Sequence, residues 1–335
     1  MTELEVLPAG RWPLLGMPWI TPRAENPYHV YLARFTGQES ARTMGRCLDR
    51  MAAIIRPLPA GVPPCPAGYG EEIRWHAMRY PHVTRMRSLL AGGDWSPSHV
   101  NKHMAALRGV LRECWRLGLM SAEDYQRARD VRNVKGKRLP AGRNIHGDEV
   151  SSLLRLCLAD EGPIGIRDAA LVAVLQSTGI RRHEAAAALI ERYDAAERSL
   201  KLTGKGDRER VAYIHPGAVP YLERWLVTVG SRQGPVFRPV DRWQHIGPGK
   251  LTARSIGHIV NRRREAAGLR PLSTHDFRRT FIGDFIDAGG DLVQAQQLAG
   301  HASPITTSAY DRRPERALRT AVDRLHLPGP EEFTA

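Results

Sequence analysis

Cysteine is scarce in this chain. Cys47, Cys65, Cys114 and Cys157 are widely scattered and form no Cys-x-x-Cys pair, which argues against a disulfide framework or a thiolate zinc site. Cys47, Cys114 and Cys157 instead fall among apolar residues at helical spacing, as reduced core cysteines of a cytoplasmic protein do. Long apolar runs are missing as well. No stretch approaches the roughly 20 residues that a membrane-crossing helix needs, so a membrane is not an expected partner. The amino terminus, Met-Thr-Glu-Leu-Glu-Val, is acidic and lacks the basic-then-apolar order of a secretory signal. The Gly-x-x-x-x-Gly-Lys-Ser/Thr phosphate loop is absent, and no Asp/Glu/His spacing marks a metal cluster, which disfavours a metal-dependent nuclease. Acidic residues are also in deficit, with 35 Asp and Glu against 49 Lys and Arg, a formal net charge of +14 and a pI near 10.1. That imbalance predicts a polyanionic partner, nucleic acid first among them.

What remains is a chain of 335 residues with 42% hydrophobic content, enough for two domains with real cores. Residues 1–25 carry Pro, Gly and Trp without periodicity and read as an arm. Residues 26–130 read as a helical DNA-binding bundle. One helix is expected around Ser40–Ile55 with Ser40 as its cap. A stronger one follows Ser96-Pro97, striped by Val100, Met104, Leu107, Leu111 and Cys114 and stopped by Gly118. Asn101, Lys102, His103 and Arg108 lie between those apolar positions as candidate DNA contacts. Residues 131–144 mix helix breakers with cations, including Lys135, Lys137 and Arg138, and read as a basic linker along a phosphate backbone. Residues 145–325 read as a second, mainly helical domain with a small β-sheet, and 326–335 as a tail. Ser199–Thr203, a Gly-Lys-Gly-Asp turn and Arg210–Ile214 form its expected hairpin.

Four segments of the second domain carry candidate chemistry. In Thr178-Gly179-Ile180-Arg181, the glycine lets one helix end and another begin near Arg181, with Glu184 one turn on to orient a guanidinium. Periodicity does not settle whether Arg181 or Arg182 turns inward. Lys205 lies between two glycines at the hairpin tip. His275 and Arg278 are one helical turn apart and share a face, with a cap in Leu272-Ser273-Thr274. His301 follows Leu298-Ala299-Gly300, and Tyr310 follows in turn. Each signal alone has a bland explanation as a surface or packing residue. Together they supply cations, proton carriers and a phenol, the inventory for attacking a phosphodiester directly. Arginine's planar fork suits the two non-bridging oxygens of such a transition state.

Taken in order, these segments resemble the tyrosine recombinase (phage integrase) family over about residues 145–325. Thr-Gly-Ile-Arg-Arg-His-Glu is similar to the family's Thr-Gly-Leu-Arg-x-x-Glu, which puts the first catalytic arginine on Arg181. The resemblance implies that Arg278 is the second clamp and that Lys205 protonates the leaving 5′ oxygen. It places His275 beside the nucleophile as proton acceptor or phosphate donor, His301 as a donor to the phosphate, and Tyr310 as the nucleophile forming a 3′-phosphotyrosine. It implies a metal- and ATP-independent recombinase without cofactors, closing around double-stranded DNA at specific sites and assembling as a tetramer on nucleoid DNA. The first domain resembles the family's core-binding bundle in pattern only. Arg279 stands where the family commonly has a second histidine, and Ala299 where it often has leucine. A type IB topoisomerase and a non-catalytic DNA-binding regulator of the same fold are the alternatives. The target sequence and the choice among integration, excision and resolution stay open.

Overall fold

The computed structural model describes residues 12, 15, 17–58, 65–136, 142–204, 209–300, 322, 324 and 325. The chain separates into two compact units, residues 1–139 and 140–335, dividing within the segment read as a linker.

The first unit is helical among its described residues: α1 (Pro27–Ala33), α2 (Gln38–Ile55), α3 (Tyr80–Ala91), α4 (Pro97–Arg116) and α5 (Ala122–Arg129). Helix α4 is its axis and packs against α1, α2, α3 and α5. It starts where the sequence predicts, with the Ser96 hydroxyl accepting from His99 N at 3.3 Å and Pro97 in the first turn. Its buried stripe includes Val100, Met104, Leu107, Leu111 and Cys114. Ser40 is not a cap. Helix α2 begins at Gln38 with Gly37 as its cap, so Ser40 lies inside the first turn.

Two residues of the expected arm belong to the core. Trp12 and Leu15 are buried in the cluster of the first unit, with Trp12 beside the His82 ring. The start of the expected linker is likewise fastened to this unit. Asn101 holds both backbone groups of Val134, donating to its carbonyl at 3.0 Å and accepting from its N–H at 2.8 Å. Arg108 donates to the carbonyls of Arg129 and Val131 and to Asn133 Oδ1 at 3.0 Å.

The second unit is mainly helical with a small sheet, as its pattern predicts. Its helices are α6 (Gly147–Leu158), α7 (Pro163–Thr178), α8 (Arg182–Ala187), α9 (Val219–Val229), α10 (Ala253–Ala266), α11 (Thr274–Asp287) and α12 (Leu292–Ala299). The strands β1 (Tyr193–Asp194), β2 (Ser199–Thr203) and β3 (Glu209–Tyr213) form an antiparallel sheet in the order β1-β2-β3. Ala169–Leu175 of α7 are buried throughout, as befits a helix that is apolar on every side. It packs against α6, α9 and α11. The charged Asp168 inside it is fully buried, and accepts from Arg263 Nε at 2.7 Å and from Arg167 at 2.7 and 2.9 Å. These charge-assisted bonds satisfy a carboxylate that would otherwise be costly to bury.

Candidate active site

Helix α7 ends at Thr178 because Gly179 adopts a left-handed φ of +57°. A Cβ there would sit 2.7 Å from the Phe281 ring, so the position also needs the space that glycine leaves. The chain then re-enters a helix two residues later, with Arg181 at the cap of α8. Glu184, 1% exposed, accepts from Arg181 N at 2.7 Å and from Arg181 Nη1 at 3.0 Å. Arg181 is turned into this arrangement and Arg182 is exposed, which resolves the choice that periodicity left open.

Helix α11 is capped by Ser273 and carries His275 and Arg278 on one face. Arg278 is 1% exposed. Its Nη1 donates to the Gly179 carbonyl at 2.9 Å, and its Nη2 donates to the Ala299 carbonyl. Arg279 is buried as well, close to Gly142 and Asp276, where the chain enters this unit.

The end of α12 draws these groups together. A helix C-terminus leaves carbonyls without intrahelical donors and carries partial negative charge. Three guanidinium groups from three elements serve consecutive carbonyls here. Arg210 Nη1 of β3 donates to Leu298 O at 2.6 Å, Arg278 to Ala299 O, and Arg181 Nη2 to Gly300 O at 3.0 Å. Arg210 also donates to both Glu184 oxygens, at 3.2 and 2.8 Å. Three arginines therefore meet here with one carboxylate, which Arg181 and Arg210 share, an excess of positive charge suited to an anion.

Two ionisations are set by this environment. Burial by itself would raise the Glu184 carboxyl, but the hydrogen bonds and charges of Arg210, then those of Arg181, hold it down at about 2. His275 reaches the surface, yet desolvation lowers its pKa from the ordinary 6.5, and the charges of Arg278, Arg279 and Arg181 lower it further against the pull of Asp276. Its ring is thus kept neutral near pH 7, able to accept a proton or to offer one N–H.

Of the residues singled out from sequence, Arg181, Glu184, His275 and Arg278 meet in this cluster. Lys205, His301 and Tyr310 lie outside the described residues, as do Lys137 and Arg138. The described chain runs up to Gly204 at the end of β2 and to Gly300, the neighbours of Lys205 and His301. The expected DNA contacts of the first unit divide differently. Lys102 and Lys135 are exposed. His103 is fully buried, with Nδ1 on the His99 carbonyl and its ring 4.6 Å from Trp95, so it packs the core and does not reach a groove edge. Asn101 and Arg108 spend their donors on residues 129–134, as described above. In the linker, Arg143 pairs with Glu149 at 2.6 and 2.7 Å, which occupies a cation that the charge run assigned to phosphate.

Arg210 was missed from sequence, where it served only as the first residue of a strand. A signal was present. Leu202 pairs with Arg210 and Leu200 with Ala212, so Arg210 shares the face of three buried apolar side chains. A cation on the apolar face of a strand needs a buried partner. An apolar cavity of about 470 Å³ also opens in this unit, lined by Val150, Leu154, Tyr221, Phe281 and Phe285 among others. None of the clustered arginines lines it, so it is not the seat of this charge.

Residues 143–316 match the model of the phage integrase family. The chain is 30% identical over 253 residues to tyrosine recombinase XerC of Alcanivorax borkumensis, covering 73% of this chain and 79% of that protein. It is 32% identical over 225 residues to tyrosine recombinase XerD of Mycobacterium leprae, covering 64% of this chain and 70% of that one. Among solved structures, the XerH site-specific recombinase bound to its palindromic difH substrate aligns with a TM-score of 0.58 at 21% identity, over 77% of this chain and 72% of that one. The Tn1549 transposon integrase in complex with circular intermediate DNA aligns with a TM-score of 0.60 at 13% identity, over 92% of this chain and all of that one.

Proposed function

The chain belongs to the phage integrase family of tyrosine recombinases, enzymes that cut and rejoin DNA strands, and from that premise we propose how its own residues do so. Tyr310 is the nucleophile. Its phenol oxygen attacks the scissile phosphorus, and the bond to the 5′ oxygen breaks, leaving a 3′-phosphotyrosine and a 5′ hydroxyl. Arg181 and Arg278 take the charge that grows on the non-bridging oxygens, where loss of one fixed donor costs about 10²–10³ in rate. Neutral His275 accepts the phenol proton, His301 donates to the phosphate, and Lys205 protonates the departing oxygen, a poor leaving group without an acid. Because the ester keeps the bond energy, a 5′ hydroxyl from a second strand reverses the step without ATP.

The observation that carries this reading is the set of guanidinium groups on carbonyls 298–300. It puts Arg181 and Arg278 at one point of the chain, one peptide before His301. The partner is DNA. Specific recombination sites, a tetrameric synapse and action on nucleoid DNA in the cytoplasm complete the proposal. Lys102 and Lys135, exposed on the first unit, are proposed backbone contacts, together with Lys137 and Arg138.

A nicked suicide duplex tests the nucleophile. The wild-type protein is expected to accumulate a covalent protein–DNA adduct on its site, and Tyr310→Phe to bind the same site without forming one. An adduct in the Phe variant would move the nucleophile elsewhere. Adduct formation on any sequence by isolated protomers would favour a topoisomerase-like activity instead.

A further inference from the structure

Arg210 has no part in the mechanism above, yet it ties together two pieces of the site, the Glu184 carboxylate and the end of α12. Its guanidinium is largely buried, at 11% exposure. It spans both oxygens of Glu184 and the carbonyl of Leu298. Its own strand, β3, begins a few residues after Lys205 in the chain. Gly300 is shaped around it as well, since a Cβ there would lie 2.6 Å from Arg210 Cδ and 3.0 Å from Arg210 Nε.

We propose that Arg210 is a positioning residue for strand cleavage, holding Glu184 and the end of α12 so that Arg181 is presented to the scissile phosphate. The inference rests on the assignment of Arg181 as a phosphate clamp. Its logic is one of charge. Glu184 is fully ionised and almost fully buried, and it shares its two oxygens between Arg181 and Arg210. With Arg210 in place, the carboxylate is satisfied and Arg181 spans Glu184 and Gly300 O with one nitrogen each. Without Arg210, a buried carboxylate keeps a single guanidinium partner and draws Arg181 onto itself, away from an incoming phosphate. The Leu298 carbonyl also loses its donor, which loosens the turn that leads into His301.

A purely structural tie and a charge-balancing one predict different double variants. Arg210→Met is expected to slow adduct formation on the suicide duplex by about 10–100-fold, less than or near the loss of a direct donor, with DNA affinity kept. Adding Glu184→Gln removes the carboxylate that captures Arg181 and is expected to restore the rate by about tenfold, within the usual range of coupling between contacting residues. Acid should act in the same direction. In Arg210→Met the Glu184 carboxyl moves back toward 4.5, so the deficit relative to wild type shrinks as pH falls toward that value. Arg210→Lys keeps the charge without the fork, and should fold like wild type and cleave at an intermediate rate; it serves if the Met variant does not fold. Arg210→Met cleaving at the wild-type rate would overturn the proposal. So would a double variant as slow as the product of the two single ones. Tyr310→Phe and Arg181→Ala run in parallel separate the two levels. If Arg181→Ala still cleaves normally, the clamp assignment fails. If it does not, a fully active Arg210→Met removes Arg210 alone.

Discussion

Replacing Gly300 by alanine tests how closely the arginine cluster is fitted to the end of α12. Gly300 has φ +61°, and an L side chain in that left-handed region costs roughly 1–2 kcal/mol. The added Cβ would also lie 2.6 Å from Arg210 Cδ. That atom is in the middle of a side chain pinned at Glu184 and Leu298, so relief requires breaking at least one charge-assisted hydrogen bond, about 1.5–3 kcal/mol. The sum is about 2.5–5 kcal/mol if nothing relaxes. Gly268 supplies the control. Its φ is +64°, and a Cβ there meets nothing within 4 Å, so Gly268→Ala pays the backbone term alone. Denaturant unfolding should show Gly300→Ala losing clearly more stability than Gly268→Ala. Single-turnover cleavage of a nicked duplex should fall by about tenfold or more for Gly300→Ala and stay unchanged for Gly268→Ala. Equal stability losses, or normal cleavage by Gly300→Ala, would refute the idea that this turn and Arg210 are matched.

Other consequences are open to similar measurement. Arg278→Lys removes a buried fork that serves two carbonyls, and should lower the cleavage rate by about 10²-fold or more while specific DNA binding persists, as followed by adduct formation and gel shift. For His275 the sign is set by its lowered pKa: the folded protein resists protonating this ring, so the neutral form persists as pH drops past 6.5. The cleavage rate should therefore hold through pH 6.5 and decline only below it, and a His275-dependent loss at or above 6.5 would contradict the environment described. Trp12→Ala should destabilise the first unit by about 3 kcal/mol, since the indole is buried in its core; an unchanged unfolding midpoint would return residues 1–25 to the status of a loose arm.

Much of this molecule is local in origin. Ser96-Pro97 starts α4 and Ser273 caps α11 because a hydroxyl next to a helix start needs only its own neighbours to find an unpaired N–H. The hairpin of β2 and β3 and the apolar α7 follow from period and composition in the same way. The order Arg181, Lys205, His275, Arg278, His301 and Tyr310 is proposed from resemblance, which acts on neighbours along the chain; of the six, Arg181, His275 and Arg278 lie among the described residues. Resemblance favours Arg181 over Arg182, and in space Arg181 bonds Glu184 while Arg182 is exposed. What the linear chain did not carry was the destination of each charged group. His103, Asn101, Arg108 and Arg143 all looked available to DNA, and all are engaged within their own unit. The cations of a basic protein are alike in sequence, and only the positions of carboxylates and orphan carbonyls distant along the chain separate those that hold the fold from those that face a ligand. Arg210 belongs to that second kind of knowledge: Glu184 and Leu298 become its partners only once β3, α8 and α12 meet, because the cost of burying a guanidinium is met by groups that no local pattern brings together.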